Sequence, residues 1–366
     1  MAFIDCPEAE LKRGLVEPYC ENVFLFESAA VPPRQSLRRW FTVLFSPDST
    51  TMRCSSRVFA EELRRKLVSR PPDVVQIDGY GMLQYRKHVK NVPCVAFPID
   101  CETLSLEREK VSNVLLTARL AVHGVKVRRV ESTYGSYYAS VFVAQPDADR
   151  ARQLSPDANI VCIPNGVDAD YFSPTDQGVE PETIVFHGSM CFPPNIEAAT
   201  WFITKVWPGL RDRHPKARYL VVGTDPAEQI LAAALGDNRI VVTGSVPDVR
   251  PYLQSASVVA VPMQSGSGIK NKVLEGMAMA KPVVLSSMAT AGINHAIPGQ
   301  HFVTADTPEQ FIDAICGLWR NPDRASRIGA SARELVQTHH SWECMQDACE
   351  SLLRNAAGRG WHSTKT

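Results

Sequence analysis

Val258–Ser287 reads VVAVPMQSGSGIKNKVLEGMAMAKPVVLSS, and its residue types run strand, glycine-rich loop, helix, strand. Val258–Met263 is apolar and β-branched, as a strand buried on both faces of a parallel sheet requires. Ser265–Gly268 is small and flexible, so its backbone N–H groups can turn toward a ligand. Ile269, Val273 and Met277 recur every four residues beside Leu274 and Ala278, the stripe of a helix packed on a sheet. Lys270 and Lys272 fall in the first turns, where cations oppose the helix dipole. Free N–H groups, a positive helix start and two lysines together describe an anion site, most simply for a phosphate or diphosphate. Glu275 stands about a turn further in. A carboxylate there suits paired sugar hydroxyls, because it accepts hydrogen bonds and donates none. The plainer alternative is a surface helix with solvated charges.

The same alternation extends in both directions. In the first half, Asn22–Glu27, Val74–Gly79, Pro93–Asp100, Ser140–Gln145 and Ile160–Pro164 read as short buried strands. Helical patterns separate them: Ser56–Ser69 with Val58, Leu63 and Leu67 inward, then Glu102–His123 and Val125–Tyr138. In the second half the strands are Thr183–Gly188, Ala217–Gly223, Arg239–Gly244 and His301–Ala305. Helices fall at Pro226–Leu235, Asp248–Ala256, Pro308–Asn321 and Pro322–His340, with Asn195 as N-cap of another and Ser341 capping the last. Strand–helix alternation implies parallel sheets covered on both faces, with ligands beyond the carboxyl ends of the strands. Three such ends carry glycine: Gly188, Gly223 and Gly244. Gly266-Ser-Gly268 hints at a dinucleotide fingerprint, but Asn271 holds the third glycine position and no acidic residue follows at ribose distance.

Composition narrows the classes. The chain has 366 residues, enough for two α/β domains, with 39 Lys+Arg against 39 Asp+Glu. Nothing global then attracts nucleic acid or anionic lipid. No apolar run is long enough to span a bilayer, and Met1–Cys20 has no signal-peptide pattern. The ten cysteines are scattered without a C-x-x-C pair, so neither a zinc site nor a disulfide framework is indicated. Cys94, Cys162 and Cys316 read as core, and a reducing cytoplasm is the expected compartment.

Three features of the first half carry two readings each. Asp100, with Glu102 and Glu107 beyond it, either holds an acceptor hydroxyl or caps the next helix. Lys126–Arg129 with Glu131 reads as a solvated helix face. Tyr134, Tyr137 and Tyr138 line a pocket or, more simply, a helix–sheet seam.

These motifs resemble a family. The second half is similar to the nucleotide-binding domain of retaining glycosyltransferases of the GT-B fold, in the large family-four group. Pro164-Asn-Gly-Val-Asp168 with Tyr171-Phe-Ser-Pro174 resembles that group's interdomain junction. Gly188-Ser189-Met190, Pro194-Asn195, Trp201-Phe202 and Gly268–Glu275 resemble a bacterial exopolysaccharide subgroup. The resemblance is strong over residues 160–343 and weak before them. It implies two Rossmann-like doubly wound domains: an acceptor-side domain over 1–172 and a nucleotide-sugar domain over 173–340. Residues 341–366 would form a helix and tail packing back on the first domain. The first domain looks truncated, because Ala2-Phe-Ile4 matches only the tail of the fold's second strand and Cys6–Glu21 the helical connection after it.

The resemblance also implies roles. Glu275 would hold the donor ribose, Gly266, Ser267, Gly268 and Ile269 would cradle the diphosphate, and Gly188 and Ser189 would face it. Gly244, Ser245 and Val246, within Thr243–Val246, would border the base. No metal and no cofactor are expected beyond the nucleotide-sugar donor. The acceptor would be a saccharide or a lipid-linked one, with peripheral attachment at the inner membrane surface as an option. Three departures matter. The group's glutamate pair, spaced E-x7-E, has Ser267 at its first position. Its basic pair is replaced by Ser189 and Asn195, so Lys270 and Lys272 are expected to supply that charge. Its acceptor-side histidine is replaced by Asp100. Alternatives are an epimerase or hydrolase of the same fold, or a non-catalytic subunit that binds the sugar nucleotide.

Overall fold

A computed structural model of the chain describes residues 2–4, 14, 16–27, 51, 54–108, 114–176, 178–266 and 268–358. The chain divides into two units. One comprises Met1–Phe142, Asp147–Cys162 and Glu350–Thr366, the other Val143–Pro146 and Ile163–Cys349.

In the first unit, β1 (Ala2–Ile4) pairs in parallel with β2 (Phe24–Phe26). A separate parallel sheet holds β3 (Val75–Asp78), β4 (Cys94–Ile99), β5 (Ala139–Phe142) and β6 (Ile160–Cys162) in that spatial order. Cys94, Val95, Ala96 and Phe142 are fully buried, as two-sided cover demands. The helix Arg57–Ser69 starts at Ser56, whose side chain accepts from Phe59 N at 3.3 Å. Leu63 and Leu67 pack inward as expected, but the first turn buries Phe59 and Ala60 and leaves Val58 67 % exposed. The cause is aromatic: Phe59 packs edge-on against Phe26 at 5.2 Å and Tyr85 at 4.5 Å.

Two expectations in this unit change. A break at Gly124 was read into the long helical stretch; instead Val114–Glu131 is one helix, with Glu102–Arg108 as a separate short one. A glycine inside a helix costs only about 1 kcal/mol, which eighteen residues of packed helix override. Glu131 is not on a solvated face but fully buried. Its carboxylate accepts from the backbone N and hydroxyl of Thr103, at the start of the helix Glu102–Arg108, and burial pushes its pKa up. Tyr134 and Tyr137 are buried too and form the seam. The proposed connection at 6–21 falls largely outside the described residues.

The second unit carries the stretch from which the reading began. Its strands are β7 (Thr183–His187), β8 (Arg218–Val222), β9 (Ile240–Val242), β10 (Val258–Val261), β11 (Val283–Leu285) and β12 (Val303–Thr304). The order across the sheet is β12-β11-β10-β7-β8-β9, and every pairing is parallel. This is the doubly wound order 3-2-1-4-5-6, and the crevice where the winding reverses lies between β7 and β10. One core runs beneath it, built from β-strand valines and isoleucines with Phe202, Trp207, Tyr219 and Phe311 against them. The helix Asn271–Ala278 buries Val273, Leu274, Met277 and Ala278 on β10 and β11, as its periodicity foretold.

The connector that precedes this sheet is pinned by one side chain. Arg333, from the helix Pro322–His339, donates to the carbonyls of Ala169 and Phe172, to Ser173 Oγ and to Ala278 O. Val167 N donates to His340 O at 2.8 Å, and Ser341 Oγ accepts from Cys344 N, capping the helix Trp342–Gly358.

Candidate functional site

On one side of the winding reversal the strand ends are bare backbone. Gly188 follows β7 with φ +143°, and Gly223 follows β8 with φ +150°. A Cβ on Gly223 would stand 1.7 Å from the carbonyl oxygen of Gly188, so two neighbouring strand ends touch main chain to main chain. No residue but glycine fits there. Gly244 follows β9 with φ +69°, and its carbonyl accepts from Gly223 N at 3.3 Å. The two residues beyond it, Ser245 and Val246, lie at the rim, exposed and half-buried respectively.

Onto this floor the helix Asn271–Ala278 projects two side chains. Lys272 lies over the ring of Phe186, with Nζ 4.7 Å from its centroid, and donates to Asn195 Oδ1 at 2.5 Å. The same ammonium would meet a Cβ on Gly188 at 3.2 Å. Burial, then repulsion from Lys270, pushes the Lys272 pKa down to about 7 against the pull of Glu275. One turn on, Glu275 Oε2 accepts from His187 Nε2 at 2.6 Å. Lys270 occupies the position before the helix and donates to Gly268 O at 3.1 Å. The loop itself bends through Gly266 (φ +106°) and Gly268 (φ +67°). Gly266 sits against Lys270 Nζ and Pro194, and Ser265 Oγ donates to Glu197 Oε2 at 2.5 Å.

Asn195 is not an N-cap. The helix Pro193–Trp201 has Phe192 at the cap and Pro193 at its first position, where a missing N–H costs nothing. Asn195 stands inside the first turn, 4 % exposed, and works with both ends of its amide. Its Nδ2 donates to Ser189 O at 2.8 Å while Oδ1 takes the Lys272 ammonium. Ser189 is thereby tied to Lys272 through one side chain. The lysine's nitrogen thus stands one hydrogen bond from Asn195, and Ser189 one further.

The crevice therefore gathers Gly188, Ser189, Gly266, Gly268, Lys270, Lys272 and Glu275, with Ile269 half-buried between loop and helix. Ser267 lies outside the described residues. Asp100 belongs to the other unit, beyond β4, two positions before the helix Glu102–Arg108, so Cys101 and not Asp100 holds the cap position. Just before Asp100, Ile99 has φ +78°, a left-handed conformation that is an outlier for a β-branched residue. Cys101 N donates to the buried Asp147 at 2.9 Å, which with Glu131 fixes that turn.

The sequence reading gives His187 and Glu197 no role, and Asn195 only that of a helix N-cap and of a neutral residue at one of the basic-pair positions. A signal existed for two of them. A histidine ending an otherwise apolar strand, and an asparagine just behind a Pro-Pro helix start, are polar residues at positions that bury. Glu197 has no such mark.

With this geometry in hand, likeness to known proteins is informative. Residues 181–321 match the family described as "Glycosyl transferases group 1". Over 95 residues the chain is 30 % identical to glycosyltransferase 1 domain-containing protein 1 of Xenopus tropicalis, covering 25 % of this chain and 27 % of that one. It is 22 % identical over 166 residues to an uncharacterized 44.6 kDa protein in the cps region of Klebsiella pneumoniae, covering 43 % and 42 %. The chain thus spans less than half the length of these relatives. Among solved structures, Anabaena Alr3699/HepE in complex with UDP superposes with a TM-score of 0.68 at 14 % identity, covering 93 % of this chain and 88 % of that one. The likeness shows the fold, which is that of GT-B glycosyltransferases.

Proposed function

We propose that the protein is a glycosyltransferase that moves a hexose from a nucleotide-diphosphate sugar to an acceptor hydroxyl with retention of configuration. The single observation that carries this reading is the Lys272 ammonium. It is partly buried, held by one neutral amide oxygen and poised above a floor of glycines at a helix start. A cation kept without a carboxylate on its nitrogen is stabilised most by an incoming anion, and the match over residues 181–321 supports a sugar-bearing diphosphate as that anion.

The chemistry follows from charge. The bond from the anomeric carbon to the diphosphate oxygen breaks, the sugar gains oxocarbenium character, and the acceptor oxygen bonds to that carbon on the same face. The acceptor proton passes to the departing phosphate oxygen, so atoms balance without a second carboxylate. Lys270, Lys272 and the N–H groups of Gly266–Ile269 stabilise the oxygens that gain charge, without reorganising at the moment of reaction. Gly188 and Ser189 line the opposite wall, Gly244–Val246 border the base, and Glu275 holds the ribose. Asp100, in the other unit, is assigned to the acceptor hydroxyl. The acceptor class is a saccharide, free or lipid-linked, as polysaccharide synthesis uses.

Donor screening tests the reading. A matched nucleotide sugar raises the unfolding temperature by mass action, and incubation with oligosaccharide acceptors yields a product whose anomeric configuration proton NMR reads. Failure of UDP-, GDP- and ADP-sugars alike to bind would overturn it. A bound donor that is only epimerised would reassign the chemistry.

A further inference from the structure

His187 closes β7, the central strand of the second sheet, among Val185, Phe186 and Gly188. It is 4 % exposed, and the one hydrogen bond of its side chain among the described residues is the 2.6 Å contact to Glu275 Oε2. The other ring nitrogen, Nδ1, is buried with no hydrogen-bond partner. An orphaned buried polar atom costs about 1–3 kcal/mol, and a phenylalanine would fill the same place without it. The strand therefore carries this histidine at a loss in stability, and the only polar group it serves is the carboxylate on the helix Asn271–Ala278. Because a carboxylate only accepts, Nε2 bears the proton and donates to Oε2.

We infer that His187 is a positioning residue for Glu275: it occupies Oε2, fixes the carboxylate's rotation and leaves Oε1 as the acceptor offered to the paired ribose hydroxyls of the donor. This rests on the transferase reading for the identity of the ligand. The consequence is selectivity for ribose. A carboxylate free to rotate adapts to a single hydroxyl or a water as readily as to a diol. One locked by a buried donor holds the two lone pairs of Oε1 in one orientation, set for two neighbouring hydroxyls, and a 2′-deoxy sugar leaves one of them unanswered. Lys272, three residues before Glu275, is bonded to Asn195 and not to that carboxylate, so on the same reading phosphate affinity is carried separately.

The test compares UDP with 2′-deoxy-UDP, GDP with 2′-deoxy-GDP, and inorganic pyrophosphate as the phosphate probe, by calorimetry on the full chain. Wild type should prefer the ribonucleotide. His187→Phe keeps the ring and loses the donor, and His187→Asn keeps an amide too short to reach Glu275. Both should lower that preference about tenfold, the worth of one hydrogen bond to a charged group, while pyrophosphate affinity stays unchanged. His187→Gln, whose amide reaches further, should restore much of the preference. A folded Phe or Asn variant that discriminates like wild type overturns the inference, as does a wild type that binds UDP or GDP without preferring ribose. Absence of any nucleoside diphosphate binding by wild type would instead remove the transferase reading on which it rests.

Discussion

Lys272 offers the sharpest quantitative test. Its nitrogen lies over Phe186 and is bonded to a neutral amide, and burial, then repulsion from Lys270, pushes its pKa from the usual 10.5 down to about 7. A diphosphate arriving within hydrogen-bond reach favours the charged form and drives the pKa back up. Between pH 7 and that raised value the free protein holds a neutral amine and the complex an ammonium, so binding takes up one proton. Affinity for a nucleoside diphosphate should therefore be greatest below about pH 7 and fall above it, approaching tenfold per pH unit. The ligand's terminal phosphate titrates near 6, below this window. Lys272→Met removes the titrating group, keeps the stem over Phe186 and sees the same ligand. At neutral pH it should cost about 1.5–3 kcal/mol of binding, or about 10- to 150-fold in Kd, and it should flatten the slope above pH 7. Calorimetry in buffers of different ionisation enthalpy counts the proton directly. The same Kd in both proteins, or the same slope above pH 7, would refute the role. The sign for folding is opposite. The unfolded chain binds more protons than the native one between about pH 7 and 10.5, so this lysine's burial makes the wild type gain stability with rising pH there.

Other predictions follow from neighbouring contacts. Asn195→Leu should destabilise the free protein by about 1–3 kcal/mol, since it strips Lys272 Nζ of its acceptor; unchanged urea unfolding would show that the ammonium finds another. Asn195→Asp should raise stability and weaken diphosphate binding, because the new carboxylate neutralises the lysine; tighter binding would contradict the wiring. Gly223→Ala should cost roughly 3 kcal/mol or more, from positive φ and the collision with Gly188 O, read as a lowered unfolding midpoint. Asp100→Asn should depress transfer to acceptor more than donor affinity, and equal loss of both would make it structural.

Most of the second sheet was legible because a parallel strand buried on both faces is a run of β-branched residues, and glycine marks where backbone must face a ligand. Gly188, Gly223 and Gly244 stand at strand ends with positive φ as that logic requires. What escaped was side-chain pairing across distance. His187 meets Glu275 over 88 residues and Asn195 meets Lys272 over 77, and no local pattern encodes either. Local propensity also misled where packing decides: Gly124 reads as a breaker but sits within a helix, and Asn195 reads as a cap but is pre-empted by Pro193. Glu131 shows the converse limit. A glutamate after two arginines looks solvated until the Thr103 amide that needs it is known.

The strand order has a kinetic consequence. β7, β8 and β9 follow one another both in sequence and across the sheet, and each reaches its neighbour through one helical crossover: Thr183 pairs with Arg218, 35 residues on, and Tyr219 with Ile240, 21 residues on. The β7–β10 ladder is different, for the Thr183–Ser257 hydrogen bond beside it spans 74 residues. Closing that span carries a larger loop entropy than the earlier pairings do. Folding of this unit should then nucleate on β7–β8–β9 and add the β10–β12 half afterwards, so that the crevice is the last part to exist. Amide exchange during refolding should protect Leu220 and Val221 before Val259 and Val284. Until that late step Lys272 has no asparagine and Glu275 no histidine, and a nascent chain holds no anion site at all.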